Sequence, residues 1–93
     1  MIITYDRWKS QRNVLERGLW FDLAADFDFA SAIYALDERR NYSEDRVRAI
    51  GRIHSRIYVL VYTTTSAGIR VISLRRANAR EKRRYEAQTY RQS

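Results

Sequence analysis

The chain has 93 residues, 45% of them hydrophobic, with no Cys and one His. This length and composition predict one folded domain spanning residues 1–93, and they exclude a disulfide framework, a thiolate metal site and a histidine cluster for zinc. Its apolar runs are shorter than the roughly 18 residues of a membrane helix, so we expect a cytoplasmic protein without metal, cofactor or membrane partner.

The charge is strongly positive and carried by arginine. Eighteen Lys and Arg residues stand against eleven Asp and Glu residues, giving +7, and only Lys9 and Lys82 are lysines. A guanidinium group binds phosphate or carboxylate oxygens in pairs, which an ammonium group does not do. The bias towards arginine therefore indicates a polyanion or an acidic partner, with a solvated basic surface as the alternative.

A short strand at residues 2–5 and a helix at residues 6–18 are predicted first. Asp6 is suited to cap the start of the helix, and Gly18 stands where helices commonly end. The apolar residues are spaced for one inward-facing side of the helix. That side would carry Trp8, Val14 and Leu15.

A second short helix is predicted at residues 21–29, followed by β-type patterning at 31–41 and a polar break at 41–45. The inner side of this helix would carry Phe21, Ala24, Ala25 and Phe29.

Residues 46–76 predict a three-stranded meander. The segments 46–53 and 68–76 alternate, while 56–65 is apolar on both faces and reads as a buried middle strand. Tight turns are expected at 54–55 and 65–67.

Tight turns would determine the register of the meander and hence its two faces. The expected pairs are Arg52 with Ile57, Ile50 with Val59, Arg48 with Val61, Val71 with Val61, Ser73 with Val59 and Arg75 with Ile57. One face would then carry Arg46, Arg48, Ile50, Arg52, Ile57, Val59, Val61, Ser73 and Arg75. The opposite, core face would carry Val47, Ala49, Ile53, Tyr58, Leu60, Tyr62, Ile72 and Leu74.

In this register Arg52 and Arg75 flank the same residue, about 10 Å apart across two strand spacings, and converge on one phosphate-sized anion. Asn78 can cap the following helix and Glu81 can reach back to it, so a helix N-terminus would lie beside the arginines. The alternative is that Arg46, Arg48 and Arg52 solvate an exposed face while Arg75 pairs with an acid.

The C-terminal helix, residues 79–90, has little apolar surface, and residues 88–93 are expected to fray. Its docking residues would be Tyr85, Ala87 and Tyr90. Its basic residues form either a solvated face or a second contact surface. These are Arg80, Lys82, Arg83 and Arg84.

The remaining aromatic residues and the histidine favour ordinary structural roles. We expect His54 to be a surface residue of a turn. Tyr62 could belong either to the core or to a surface that stacks on nucleic-acid bases. Core positions rather than base-stacking platforms are expected for Trp8, Trp20, Phe21 and Tyr58.

Several blocks together resemble the BrnT family of toxins from type II toxin-antitoxin systems. These blocks are YDRWKSQRN with the later RG at 5–18, RVRAIGR at 46–52, YVLVYT at 58–63 and IRVISLRRANAREKRRYE at 69–86. The resemblance implies a RelE-like α+β fold, with N-terminal helices on an antiparallel-type sheet, a three-stranded meander at about 46–75 and a short C-terminal helix.

The resemblance also implies a function. BrnT-like proteins are described as ribonucleases that stop translation and are neutralised by a BrnA-type antitoxin with a ribbon-helix-helix portion. The partners would be RNA and that antitoxin, with DNA bound only through the complex. RelE-like nucleases cut RNA without metal, by attack of the ribose 2′-hydroxyl.

Motif positions of the family identify candidate site residues. The pattern D-x-x-K-x-x-x-N is met by Asp6, Lys9 and Asn13, and the later patterns are met by Gly51-Arg52 and by Ser73, Arg75, Arg76, Arg80 and Glu81. The chain departs at Glu16-Arg17-Gly18, where the family usually shows Lys-His-Gly. If that pair takes part in cleavage, this chain has lost a candidate acid or base, and its activity would be weak or altered.

In-line attack needs a proton acceptor, a proton donor and cations on the phosphoryl oxygens. Arg52 and Arg75 are candidates for the phosphoryl oxygens, and Lys9 for a second cation or donor. Base candidates are Glu81, Glu16, Tyr62 and His54, and candidate RNA-binding residues are Arg46, Arg48, Ser73, Arg76 and Arg80. Two alternatives are a protein that binds nucleic acid without cutting it and an interaction module whose arginines receive an acidic antitoxin segment.

Overall fold

The computed structural model describes residues 1–36 and 45–92, and within them five strands form one sheet. The strand order is β1-β5-β4-β3-β2, with β1 parallel to β5 and the other pairs antiparallel. The elements are β1 Ile2–Tyr5, α1 Arg7–Arg17, a 3₁₀ helix Phe21–Asp26, β2 Ile33–Leu36, β3 Val47–Ile53, β4 Arg56–Thr64, β5 Gly68–Arg76 and α2 Ala79–Gln92. The predicted α+β class and the meander are therefore confirmed.

The β-type pattern after residue 30 forms the edge strand β2. The β-type pattern was predicted over residues 31–41 and the polar break over 41–45. Residues 37–44 of these two predictions lie outside the described part of the chain. Across the described segments, no helix is both long and apolar enough to cross a bilayer.

The second predicted helix is a shorter 3₁₀ helix that ends at Asp26. The chain then becomes extended, because Phe27 forms a bridge with Ile53 and the Asp28 N–H donates to the Arg52 carbonyl at 2.9 Å. Of the four residues predicted inside, Phe21 and Ala24 are buried and Phe29 packs against the core, whereas Ala25 is exposed.

The larger core lies between the sheet and the 3₁₀ helix. Leu60 and Leu74 are completely buried there. Of the other predicted core residues of β3 and β4, Ala49, Ile53, Tyr58 and Tyr62 join them, and Val47 packs against them half-buried. The cluster consists of Leu19, Phe21, Ala24, Phe27, Ala49, Ile53, Tyr58, Leu60, Tyr62, Ile69, Val71 and Leu74.

The first hairpin has the predicted register, and the second does not. Arg52 pairs with Ile57, but Arg75 pairs with Val59 rather than with Ile57. A bulge at Val61/Tyr62 shifts the register along β5, so Val71 takes the core position expected for Ile72. Ser73 and Arg75 stay on their predicted face because their displacement is two residues, and strand side chains alternate with period two.

The face of the sheet that carries the arginines is partly covered by α2. Tyr85, 1% exposed, packs with Ala77 against Ile50, Ile57 and Val59 in a second, smaller core. Tyr85 is thus the docking residue that the sequence predicted, whereas Ala87 is exposed and the side chain of Tyr90 lies outside the described part. The sheet is therefore packed on both faces, although the sequence predicted one core.

The first helix packs in the opposite orientation to the prediction. Trp8 and Leu15 are 73% and 87% exposed, while Ser10 and Asn13 are buried. The Asn13 amide donates to the Leu19 and Leu74 carbonyls, both at 2.9 Å, and the Ser10 hydroxyl accepts from the Phe21 N–H at 3.1 Å. These bonds anchor α1 by its polar side, so the predicted inner face was wrong for Trp8 and Leu15, while Val14 is half-buried.

The exposure of the other aromatic side chains tests whether they are core residues, as the sequence predicted. Phe21 and Tyr58 belong to the core as expected. Trp20, like Trp8, was expected there but is 52% exposed.

Candidate anion-binding site

The connection between β5 and α2 is stabilised by two reciprocal hydrogen bonds at the start of the helix. The Asn78 side-chain oxygen accepts from the Glu81 N–H, and the Glu81 carboxylate accepts from the Asn78 N–H, both at 2.9 Å. This is the capping box that the sequence predicted. It places the first turn of α2 directly beside the end of β5.

The same carboxylate also binds Arg75. Two parallel bonds of 2.8 Å join the guanidinium to the two oxygens of Glu81, which is 7% exposed. These bonds, helped by the Asn78 N–H and by the charges of Arg75 and Arg48, outweigh burial and lower the pKa of Glu81 to about 2. The sequence left two interpretations of Arg75, binding of an anion or pairing with an acid. The structure shows that Arg75 pairs with an acid.

Arg52 is held separately from Arg75. Its guanidinium carbon lies 5.6 Å from the centroid of the Tyr85 ring, and its Nη1 donates to the Ser55 carbonyl at 3.2 Å. The Tyr85 hydroxyl lies 2.8 Å from the Ser31 hydroxyl, which fixes the ring beneath the guanidinium. The expectation that Arg52 and Arg75 flank one residue of β4 was therefore wrong, because the register places them opposite different residues.

Arg52 instead lines an open cavity of about 370 Å³ between the β3–β4 turn, the end of β5 and α2. Four basic side chains and one carboxylate contribute to its wall. The lining residues are Arg52, Ser55, Arg56, Ile57, Arg76, Lys82 and Glu86. We call this feature the basic cavity, and its charge and size fit a phosphate group with its sugar.

A second group of cations lies further along the same face of the sheet. The Arg17 guanidinium, at the end of α1, donates to the Ser73 hydroxyl at 3.3 Å. Ser73 and Arg48 both pair with Val61, and the charge of Arg48 acts on Glu81. Arg17, Arg48 and Ser73 thus form a patch, here called the Ser73 patch, on the other side of the Arg75–Glu81 pair from the basic cavity.

Several predicted site residues lie apart from the basic cavity. Tyr62 belongs to the core on the opposite face of the sheet, where burial raises its pKa. Lys9 is exposed in the first turns of α1, and Arg46 is half-buried just before β3. Arg80 is exposed in the first turn of α2. Their proposed roles in RNA binding and cleavage stay predictions.

The other base candidates are also located. His54 is in the β3–β4 turn, with φ of 56°, and its Nε2 lies 3.3 Å from the Asp26 carboxylate. Both side chains are largely exposed. Glu16 is exposed on α1.

The sequence did not single out Arg56 or Glu86. A signal for each was present: Arg56 directly follows the turn after Arg52, and Glu86 stands one helical turn after Lys82. What the sequence could not supply is the position of α2 over β3 and β4, which brings these residues together.

Comparison with known protein families identifies the chain. The model of the family described as ribonuclease toxin, BrnT, of type II toxin-antitoxin systems matches residues 5–81. The chain belongs to this family. No curated protein matches it. Membership in the BrnT family implies an RNA substrate and an antitoxin partner.

Two of the BrnT motif positions have structural roles in this chain. Asp6 accepts from the N–H groups of Trp8 and Lys9 at the start of α1, and Asn13 joins α1 to β5. Where the resemblance places a histidine, this chain has Arg17, whose guanidinium donates to the Ser73 hydroxyl within the Ser73 patch. A guanidinium donates hydrogen bonds and has no acceptor atom, unlike the imidazole of a histidine.

Proposed function

We propose that this chain is an endoribonuclease that cleaves RNA without a metal ion, by attack of a ribose 2′-hydroxyl on the neighbouring phosphate. Cleavage would inhibit translation in the cytoplasm. A BrnA-like antitoxin with a ribbon-helix-helix portion would neutralise the protein, and the complex would contact DNA through the antitoxin. The fold would be RelE-like, as the resemblance implies.

The observation that carries the proposal is the basic cavity. Its wall combines Arg52, Arg56, Arg76 and Lys82 with the carboxylate of Glu86. Guanidinium groups hold phosphoryl oxygens in pairs, and the Tyr85 ring and the Ser55 carbonyl orient Arg52 before substrate arrives. Donors that are already oriented stabilise charge that develops in a transition state.

The chain's own residues can supply every step of this reaction. Glu86 would accept the proton of the 2′-hydroxyl while the 2′-oxygen bonds to phosphorus. Arg52 and Arg76 would bind the phosphoryl oxygens as their charge increases. Lys82 would protonate the leaving 5′-oxygen when its bond to phosphorus breaks, leaving a 2′,3′-cyclic phosphate and a 5′-hydroxyl.

Glu86 is a better proton acceptor than Glu81 in this geometry. Both oxygens of Glu81 bind Arg75, and its pKa of about 2 makes protonation at neutral pH unfavourable. We therefore assign Arg75 and Glu81 to positioning α2 over the sheet. The Ser73 patch would bind an adjacent phosphate of the same strand.

One observation favours a second function, RNA binding without cleavage. The residue at the family's histidine position is Arg17, which lies in the Ser73 patch and has no acceptor atom. Binding alone would give intact RNA and an affinity that falls with salt, by roughly −0.7 in the log–log slope for each phosphate contact on a single strand.

The test is cleavage of RNA by the purified chain, with and without EDTA, and mapping of new 5′ ends. Arg52→Ala and Glu86→Gln should each lower the rate by about 100-fold or more, because the first removes a cation from the phosphoryl oxygens and the second removes the proton acceptor of the 2′-hydroxyl. Arg83→Ala is the control, since Arg83 is exposed on α2 outside the basic cavity. In cells, Arg52→Ala and Arg75→Ala should both relieve growth arrest.

Each contrary outcome has a separate meaning. Full cleavage by folded Arg52→Ala and Glu86→Gln variants would remove the basic cavity from the mechanism. Loss of cleavage in EDTA would contradict metal independence. Intact RNA with salt-sensitive binding would establish the binding-only function.

A further inference from the structure

The outward side of α1 exposes two large apolar side chains among its charged residues. Trp8 and Leu15 are seven residues apart, so they lie on one side of the helix about 10 Å apart along its axis. They are 73% and 87% exposed. The side that faces the protein is instead held by Ser10 and Asn13, through bonds to Phe21, Leu19 and Leu74.

The orientation of α1 is determined by these buried bonds and not by its apolar residues. Turning Trp8 and Leu15 inward would break the two bonds of Asn13 and leave buried carbonyls without donors, which is costly. The exposed apolar pair is therefore a stable feature of the surface. Exposed aromatic residues of this kind commonly anchor protein interfaces.

The charge of α1 indicates the chemistry of what docks there. The helix carries four cations and one anion, with Arg12 between Trp8 and Leu15 on the same side. A second copy would bring the same positive charges together, which opposes self-association. A segment with apolar side chains flanked by carboxylates satisfies both the apolar pair and the cations.

We propose that the outward side of α1, centred on Trp8, Arg12 and Leu15, is a docking site for an acidic amphipathic segment of the antitoxin. The docking site is separate from the basic cavity, which α2 and the β3–β4 turn form. The antitoxin partner follows from family membership, and the proposal rests on the proposed function only in taking the RNA site to be elsewhere. Antitoxin bound to α1 leaves the groups of the basic cavity in place.

Fluorescence distinguishes this surface from others, because the chain has two tryptophans. A Trp20→Phe variant reports on Trp8 alone, and a Trp8→Phe variant reports on Trp20 alone. Titration of the full chain with the purified cognate antitoxin should shift the Trp8 emission to shorter wavelength, since water is removed from the ring. The Trp20 emission should stay unchanged.

Affinity measurements on the same complex supply the second readout. Trp8→Gln and Leu15→Gln should each weaken antitoxin binding by at least about tenfold, as loss of an apolar anchor does. Arg12→Glu should slow association because it reverses the attracting charge. Trp20→Gln is the matched control on another exposed aromatic residue, and RNA cleavage by the free Trp8→Gln and Leu15→Gln variants should be unchanged.

A complex that forms with unchanged Trp8 emission and unchanged affinity would overturn the proposal while leaving the ribonuclease function intact. A Trp8 shift that grows with protein concentration without antitoxin would identify a second copy as the occupant. A shift on adding RNA alone would identify RNA. Loss of cleavage in the α1 variants would contradict the separation of the two sites.

Discussion

Replacing Glu81 with Gln should destabilise the protein in a pH-dependent way. Gln keeps the side-chain oxygen that caps Asn78, since Glu and Gln both serve in a capping box. It removes the negative charge that holds Arg75 through two bonds of 2.8 Å. The substitution therefore isolates the ion pair from the cap.

The magnitude follows from the pKa of Glu81, which folding lowers from 4.5 to about 2. A difference of this size corresponds to about 3 kcal/mol of stability at neutral pH. Because the folded pKa is the lower one, this stability is fully present above the unfolded pKa and is lost as pH falls through the folded pKa. By pH 3.5 about 1.5 kcal/mol of it should be lost.

Urea unfolding of the parent chain and of Glu81→Gln, at pH 7 and pH 3.5, measures both quantities. The difference in unfolding free energy between the two proteins should be about 3 kcal/mol at pH 7 and roughly half of that at pH 3.5. Glu86→Gln is the matched control on the same helix, because Glu86 is exposed. It should change stability by less than about 0.5 kcal/mol at either pH.

Equal differences at the two pH values would refute the reasoning, because the loss would then not depend on ionisation of Glu81. Retention of full stability at pH 7 would show that desolvation cancels the attraction within the pair. A stable Glu81→Gln variant without cleavage would return Glu81 to the list of proton acceptors.

Three further substitutions test the packing. Asn13→Ala should cost about 2 kcal/mol, because it leaves two buried carbonyls without a donor, whereas Gln11→Ala on the exposed side of α1 should be near neutral in urea unfolding. Leu60→Ala should cost roughly 2 to 5 kcal/mol, clearly more than Ile72→Ala at the half-buried bulge; equal costs would contradict the observed register. Gly51→Ala should lower the melting temperature, because its new Cβ would lie 2.7 Å from Cζ of Phe27 in the core, and an unchanged melting temperature would show that the ring yields freely.

Local signals in the sequence were sufficient for the elements themselves. Gly18 ends α1 with φ of 71°, and Asn78 and Glu81 form the cap of α2, as their residue types predict. Alternation in residues 46–76 predicted the meander, and the short turn at 54–55 predicted the first register. These features depend on residues close together in the chain, so the sequence determines them directly.

The second register and the orientation of α1 required the tertiary structure. The bulge at Val61/Tyr62 carries no glycine or proline that would mark it, and Arg75 pairs with Val59, two residues along β4 from the expected Ile57. The pattern of α1 favoured an inward orientation of Trp8 and Leu15. Asn13 faces inward instead, because its amide donates to the carbonyls of Leu19 and Leu74. Neither carbonyl can be recognised in the sequence as a partner of Asn13.

The sequence by itself determined the basic character of this protein, its α+β elements, its capping box and its resemblance to the BrnT family. Only the tertiary structure decided which cations lie together: the register of the sheet places Arg52 and Arg75 opposite different residues of β4, and α2, docked through Tyr85, forms one wall of the basic cavity. The physical reason is how far apart in the chain the interacting residues are. Caps and turns depend on neighbours in the chain, whereas the packing of a helix on a sheet depends on residues far apart in it.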